Sequence, residues 1–151
     1  MPRVNRRGAF SMPETGRMEP KMASYPAKDT VLDGKAGFQT NVNMQRFLQK
    51  VGYYSKSREC DGVWGYWTTL ALQQYMRTKI FPDGSRCYSG AVDGGFGSMT
   101  KRAMADCAQY FHGTRPGSTL HNSCSAWSCW VSWPNTEVVK DWQYFLNNNT
   151  P

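Results

Sequence analysis

Apolar side chains recur at helical spacing in four stretches of this 151-residue chain, and at no regular spacing before residue 41. In Asn41–Gly52 the residues Met44, Phe47, Leu48 and Val51 share one face. Asn41 or Asn43 is placed to cap that helix, Lys50 suits its last turn, and Gly52 supplies a left-handed stop. A second helix is expected from Thr68 with Ala71, Leu72, Tyr75 and Met76 inward. A third follows Thr100 with Ala103, Met104, Cys107, Ala108 and Phe111 inward. The last begins near Pro134-Asn135-Thr136-Glu137 and places Val138, Trp142, Phe145 and Leu146 on one side. Residues 79–92 could hold a short hairpin, and 112–133 read as a loop. The expected fold is mainly α: a small helical bundle of about four short helices joined by Gly-rich turns over residues 41–151. Residues 1–40 form an extended N-terminal arm.

An internal repeat links two of the turns. Asp61-Gly62-Val63-Trp64-Gly65-Tyr66-Trp67-Thr68 returns 32 residues later as Asp93-Gly94-Gly95-Phe96-Gly97-Ser98-Met99-Thr100. Asp hydrogen-bonds its own following backbone and Gly accepts positive φ, so Asp-Gly makes a turn. Thr68 and Thr100 are read as helix caps, and Trp64 and Phe96 as plugs on the core. The segment Met44–Gln49 is also echoed by Trp142–Asn147.

Charge divides the chain. The net +7 lies entirely in residues 1–58, with eleven basic and four acidic side chains, while residues 59–151 carry seven of each. All six Trp fall between Trp64 and Trp142. The arm, with Pro2, Pro13, Pro20 and Pro26, has too little apolar surface to offset its ordering entropy alone. It is either a solvated tail or an anchor that orders on a partner through Arg3, Arg6 and Arg7, with Met12, Met18, Met22 and Tyr25 as apolar contacts. No stretch approaches the roughly 20 apolar residues of a membrane span. The basic N-terminus lacks the apolar segment of a signal peptide. Binding of nucleic acid is not expected, since basic tails are so often solvated or protein-bound.

The five cysteines, Cys60, Cys87, Cys107, Cys124 and Cys129, suit a disulfide-stapled extracellular domain, and their odd number leaves a thiol over. A zinc set of His112, His121, Cys124 and Cys129 lacks the Cys-x-x-Cys clip of strong sites, so neither metal nor cofactor is expected. Catalysis is not expected either: neither His sits in a motif that would mark it as a base. A cysteine nucleophile would need a His brought to it by the fold. Two further features stand out. Trp127, Trp130 and Trp133 form either a ridge or part of a stapled loop. Lys101 and Arg102 sit in the first turn of their helix, where the dipole disfavours cations, which points to an acidic partner.

The order Gln45 and Leu48, Gly52-Tyr53-Tyr54, Asp61-Gly62-x-Trp64-Gly65-x-x-Thr68, Ala71-Leu72, then Asp93-Gly94-x-Phe96-Gly97-x-x-Thr100 resembles the type 1 peptidoglycan-binding domain over about residues 41–104. That family is a three-helix module found beside cell-wall hydrolases and in bacteriophage lytic or virion proteins. The chain departs from it in the longer Lys79–Gly90 segment with Cys87, and in the Cys/Trp-rich extension after Met104. The resemblance implies a non-catalytic cell-wall-binding module in a bacteriophage-type protein, located on a virion or at the cell wall. Peptidoglycan would meet Tyr53, Tyr54, Tyr66 and Trp67 with Arg58 nearby, aromatic faces against sugars and a cation for stem-peptide carboxylates. Asp61, Gly62, Trp64, Gly65, Thr68 and their partners Asp93, Gly94, Phe96, Gly97 and Thr100 are structural in this reading. The alternative is a structural virion protein, a decoration or tail-attachment subunit whose arm docks on a capsid or tail protein.

Overall fold

The computed structural model describes residues 31–125 and 127–149. Among these, four helices make the body: α1 (Phe38–Lys50), α2 (Tyr66–Arg77), α3 (Ser98–Asp106) and α4 (Thr136–Asn149). A π-helical turn, Cys107–His112, extends α3 and ends at Gly113, whose φ of 77° only glycine adopts freely. A two-residue pair, β1 (Cys124–Ser125) against β2 (Ser128–Cys129), closes over the Cys124–Cys129 disulfide. The architecture is the mainly α bundle with Gly-rich turns that the periodicity predicts. The core gathers Met44, Leu48, Leu72, Met76, Met104 and Leu146 around Trp142. The Trp142 indole N–H donates to the Met104 carbonyl at 2.9 Å, so the largest buried ring carries no unpaired donor.

One glutamine per turn holds the Asp-Gly loops in place. Gln45, fully buried on α1, accepts the Gly62 N–H at 2.9 Å. Its amide nitrogen donates to the Val63 carbonyl and Thr68 Oγ1, both at 3.0 Å. Gln73 on α2 repeats this on the next loop, with the Gly94 N–H at 2.9 Å and the Gly95 carbonyl and Thr100 Oγ1 at 3.0 Å. A third copy closes the circle. Gln143 on α4 takes the Gly34 N–H at 3.2 Å and donates to the Lys35 carbonyl at 3.1 Å and Thr40 Oγ1 at 3.0 Å. The loop it holds reads Asp33-Gly34-Lys35-Ala36-Gly37-Phe38-Gln39-Thr40. In all three loops the Asp carboxylate accepts the N–H two residues on, and the glycine has φ between 74° and 77°. A Cβ on Gly62 would meet the Phe38 ring, and one on Gly94 the Tyr66 ring.

The fourth link is built differently. Where α1 and α2 carry Gln45 and Gln73, α3 has Ala105, and the loop that follows lacks Asp-Gly. There the Trp133–Pro134 peptide is cis, and Asn135 Oδ1 caps α4 by accepting the Glu137 and Val138 N–H groups at 3.0 and 3.3 Å.

Four expectations are corrected. Residues 33–40 belong to the body rather than to an arm, because Gln143 binds them and Thr40 is buried. Helix α1 therefore starts at Phe38 with Gly37 as its cap, while the Asn41 side chain donates to the Gly62 carbonyl. Thr68 and Thr100 are not caps: Gly65 and Gly97 hold that position, and the two hydroxyls serve as acceptors for the glutamines. Val51 is an exposed C-cap rather than a core residue. Trp64 and Phe96 pack on the core half-buried, with ring centroids 5.1 Å apart, and Trp64 also meets Trp133 at 6.0 Å. Arg3, Arg6, Arg7, Met12, Met18, Met22 and Tyr25 lie outside the described residues.

Candidate binding cleft

The Lys79–Tyr88 segment turns back on itself: the Phe81 N–H donates to Ser85 and the Cys87 N–H to Lys79, at 2.7 and 2.8 Å. This short hairpin, one face of α3 and the stapled loop enclose an open cleft of about 630 Å³, within the range of small-ligand sites. The α3 residues on it are Ser98, Met99, Arg102, Ala103 and Asp106, spaced so that they share a helix face. The stapled loop is pinned to that helix at two points. The Cys129 N–H donates to Asp106 Oδ1 at 2.8 Å, and the Trp133 N–H to the Lys101 carbonyl at 3.1 Å. Behind the loop, Arg115 bridges Glu137 and the buried Asp141 at 3.0 and 2.6 Å, tying residues 115–119 to α4.

The cleft wall is mixed in character. Trp130 stands at the rim, 63 % exposed, and Trp127 lies stacked on Phe81 with centroids 5.6 Å apart. Arg86 and Arg102 are exposed cations on opposite elements. Ser85, Ser89, Ser98, Ser128 and Ser132 supply hydroxyls. Burial pushes the Asp106 carboxyl up to about 6, against the opposing pull of the Cys129 N–H and Arg102. Two features legible in the sequence thus meet here, since Arg102 and the Trp127–Trp130 pair face one space. Lys101 does not join them: its ammonium lies over the Phe96 ring at 5.1 Å. Trp133 is buried. Asp106 and Arg86 carried no sequence signal, because only the hairpin and the stapled loop folding onto α3 make them neighbours.

The five residues expected to meet peptidoglycan separate. Arg58, Tyr66 and Trp67 form one cluster at the surface, with the guanidinium of the half-buried Arg58 4.0 Å over the exposed Trp67 ring and the exposed Tyr66 edge-on to that ring at 4.9 Å. Tyr66 also covers Gly94. Tyr53 turns away, half-buried against Tyr75. Tyr54 is a correction: it is buried in the core, its phenol donating to the Glu59 carbonyl at 3.1 Å, so it offers no face to a ligand.

The fold does bring a cysteine to a histidine, with Cys107 Sγ 3.5 Å from His112 Nε2. The two do not form a thiolate–imidazolium pair. Cys107 is fully buried and its thiol is pushed well up by desolvation. His112 is lowered to about 3 by burial, stacks on Phe145 at 3.5 Å, and hydrogen-bonds the Tyr75 hydroxyl at 2.8 Å. Of the five thiols one pair is bonded, Cys124 with Cys129, which removes both from any zinc set; Cys60, Cys87 and Cys107 are buried and reduced. No helix among the described residues is long and apolar enough to cross a membrane. No protein-family model, curated protein or solved structure matches the chain.

Proposed function

We propose that the protein is a non-catalytic binding module for bacterial cell-wall peptidoglycan, and that the polymer lies in the cleft between the hairpin, α3 and the stapled loop. The observation that carries this reading is the placement of the exposed Trp130 indole beside Arg86, Arg102 and a row of serine hydroxyls in one open groove. Such a surface matches an acidic glycopeptide: an indole face stacks on a sugar ring, guanidinium groups pair with carboxylates, and hydroxyls exchange hydrogen bonds with sugar hydroxyls. The disulfide that closes the loop carrying Trp127 and Ser128 suits a location outside the reducing cytosol. The resemblance of the two Asp-Gly-x-aromatic-Gly-x-x-Thr turns to the peptidoglycan-binding type supports the same ligand.

Sedimentation with insoluble peptidoglycan tests this. Wild type should leave the supernatant, and Trp130→Ala and Arg102→Ala should each weaken retention by about tenfold, the equivalent of roughly 1.4 kcal/mol. Trp67→Ala reports on the second surface cluster. Loss of retention there, with none in the cleft variants, would move the site to Arg58, Tyr66 and Trp67. No retention of wild type would reject wall binding.

A second reading, a virion subunit docked on a capsid or tail protein by its N-terminal segment, is favoured by the confinement of the whole +7 charge to residues 1–58. Removing residues 1–30 should then abolish incorporation into particles while the body keeps its wild-type melting behaviour.

A further inference from the structure

Three reduced cysteines remain, and two of them are neighbours. Cys87 Sγ, at the end of the hairpin, donates to the Ala103 carbonyl at 3.3 Å. That same carbonyl accepts the Cys107 N–H one helical turn along. Both cysteines thus meet at the Ala103 carbonyl, whereas Cys60 lies beside Arg46 and Asp61. The two thiols differ in access. Cys87 lines the cleft and keeps 7 % of its surface, while Cys107 behind it has none.

We propose that Cys87 and Cys107 form a second disulfide by thiol exchange with a small-molecule disulfide that enters through the cleft. The order follows from access. Cys87 loses its proton to water, and its sulfur attacks one sulfur of the reagent RSSR. An S–S bond forms to Cys87 as the reagent's S–S bond breaks and expels RS⁻, which takes up a proton. Cys107 then attacks the Cys87 sulfur, and the second RS⁻ leaves carrying the Cys107 proton as RSH. Two protein thiols are oxidised to one disulfide, and one RSSR is reduced to two RSH. This accounts for the odd cysteine number: Cys124 with Cys129, Cys87 with Cys107, and Cys60 left as the buried thiol.

The test is a mass measurement on the full chain. The folded protein is incubated with glutathione disulfide at neutral pH, unfolded in N-ethylmaleimide, and analysed by intact mass and peptide mapping. The count of alkylated thiols should fall from the three now reduced, Cys60, Cys87 and Cys107, to Cys60 alone, with a peptide linking Cys87 to Cys107. Cys107→Ser should instead retain one glutathione on Cys87. Three alkylated thiols in wild type, a link through Cys60, or a glutathione that persists on wild-type Cys87 would each overturn the proposal. The wild-type map decides the matter even if the variant does not fold. It is also independent of whether peptidoglycan binds.

Discussion

A buried glutamine is an unusual choice for three of the best-enclosed positions in a small body, and its geometry explains it. One planar amide carries an acceptor and a two-hydrogen donor, so a single side chain can receive the loop glycine's N–H and give to a carbonyl and a hydroxyl. Gln45→Ala would leave the Gly62 N–H and the Val63 carbonyl facing the interior without that partner. It should cost roughly 3 kcal/mol in urea unfolding, above the usual effect of a surface change. A second residue-scale prediction concerns Asp106. Its pKa is raised to about 6, so the folded chain holds that proton more tightly than the unfolded one does. Stability from this group is therefore fullest below the ordinary carboxylate range and is lost as pH rises towards about 6. Asp106→Asn keeps an acceptor for the Cys129 N–H and removes the titration. Relative to wild type it should gain about 1 kcal/mol at pH 7 and nothing at pH 4, allowing for solvent screening of a half-exposed group. Melting curves at the two pH values measure the difference.

Among the elements, the four helices were legible because each has an apolar face at period 3.6, and the paired turns because Asp-Gly and Gly recur at fixed distance. Two things were not legible, for separate reasons. The first copy of the turn, Asp33–Thr40, has Ala36 where the others have Trp64 and Phe96, so the aromatic that marks the motif is missing. Its partner glutamine also lies at the far end of the chain, 110 residues from Asp33. Three helices start earlier than their side-chain signals imply because the caps are Gly37, Gly65 and Gly97, which cap through backbone freedom and leave no side-chain sign, while threonines nearby carry the sign and serve another purpose. The cleft was half legible. Arg102 and the tryptophans announced themselves by dipole misfit and spacing. That they meet depends on the hairpin and on a disulfide whose partners no spacing rule could select. Gly62→Ala would test the turn itself. The new methyl must enter a left-handed conformation and press on the Phe38 ring. A loss of roughly 2 kcal/mol is expected, with amide exchange quickening first at Val63 and Gln45.

At the scale of the whole molecule the consequence is closure, for the last helix holds the first turn. Open helical chains can lose an end by fraying, but here residues 33–40 and α4 are each other's support, and Lys50 on α1 also reaches the Asn149 carbonyl at 2.7 Å. Truncation at two neighbouring points separates this from any contribution of the preceding segment. A chain starting at residue 33 keeps the Asp33, Gly34, Lys35 and Thr40 contacts to Gln143. One starting at residue 41 loses all of them, along with the first turn of α1, and leaves a buried amide facing nothing. The two should differ by several kcal/mol in denaturant midpoint analysis, from unsatisfied polar groups and exposed core together. The shorter chain should lose protection at Gln143 and Leu146 before the α2–α3 half is affected. Equal midpoints would mean that the circle is not closed energetically and that α4 stands on its packing against α1 and the π turn alone.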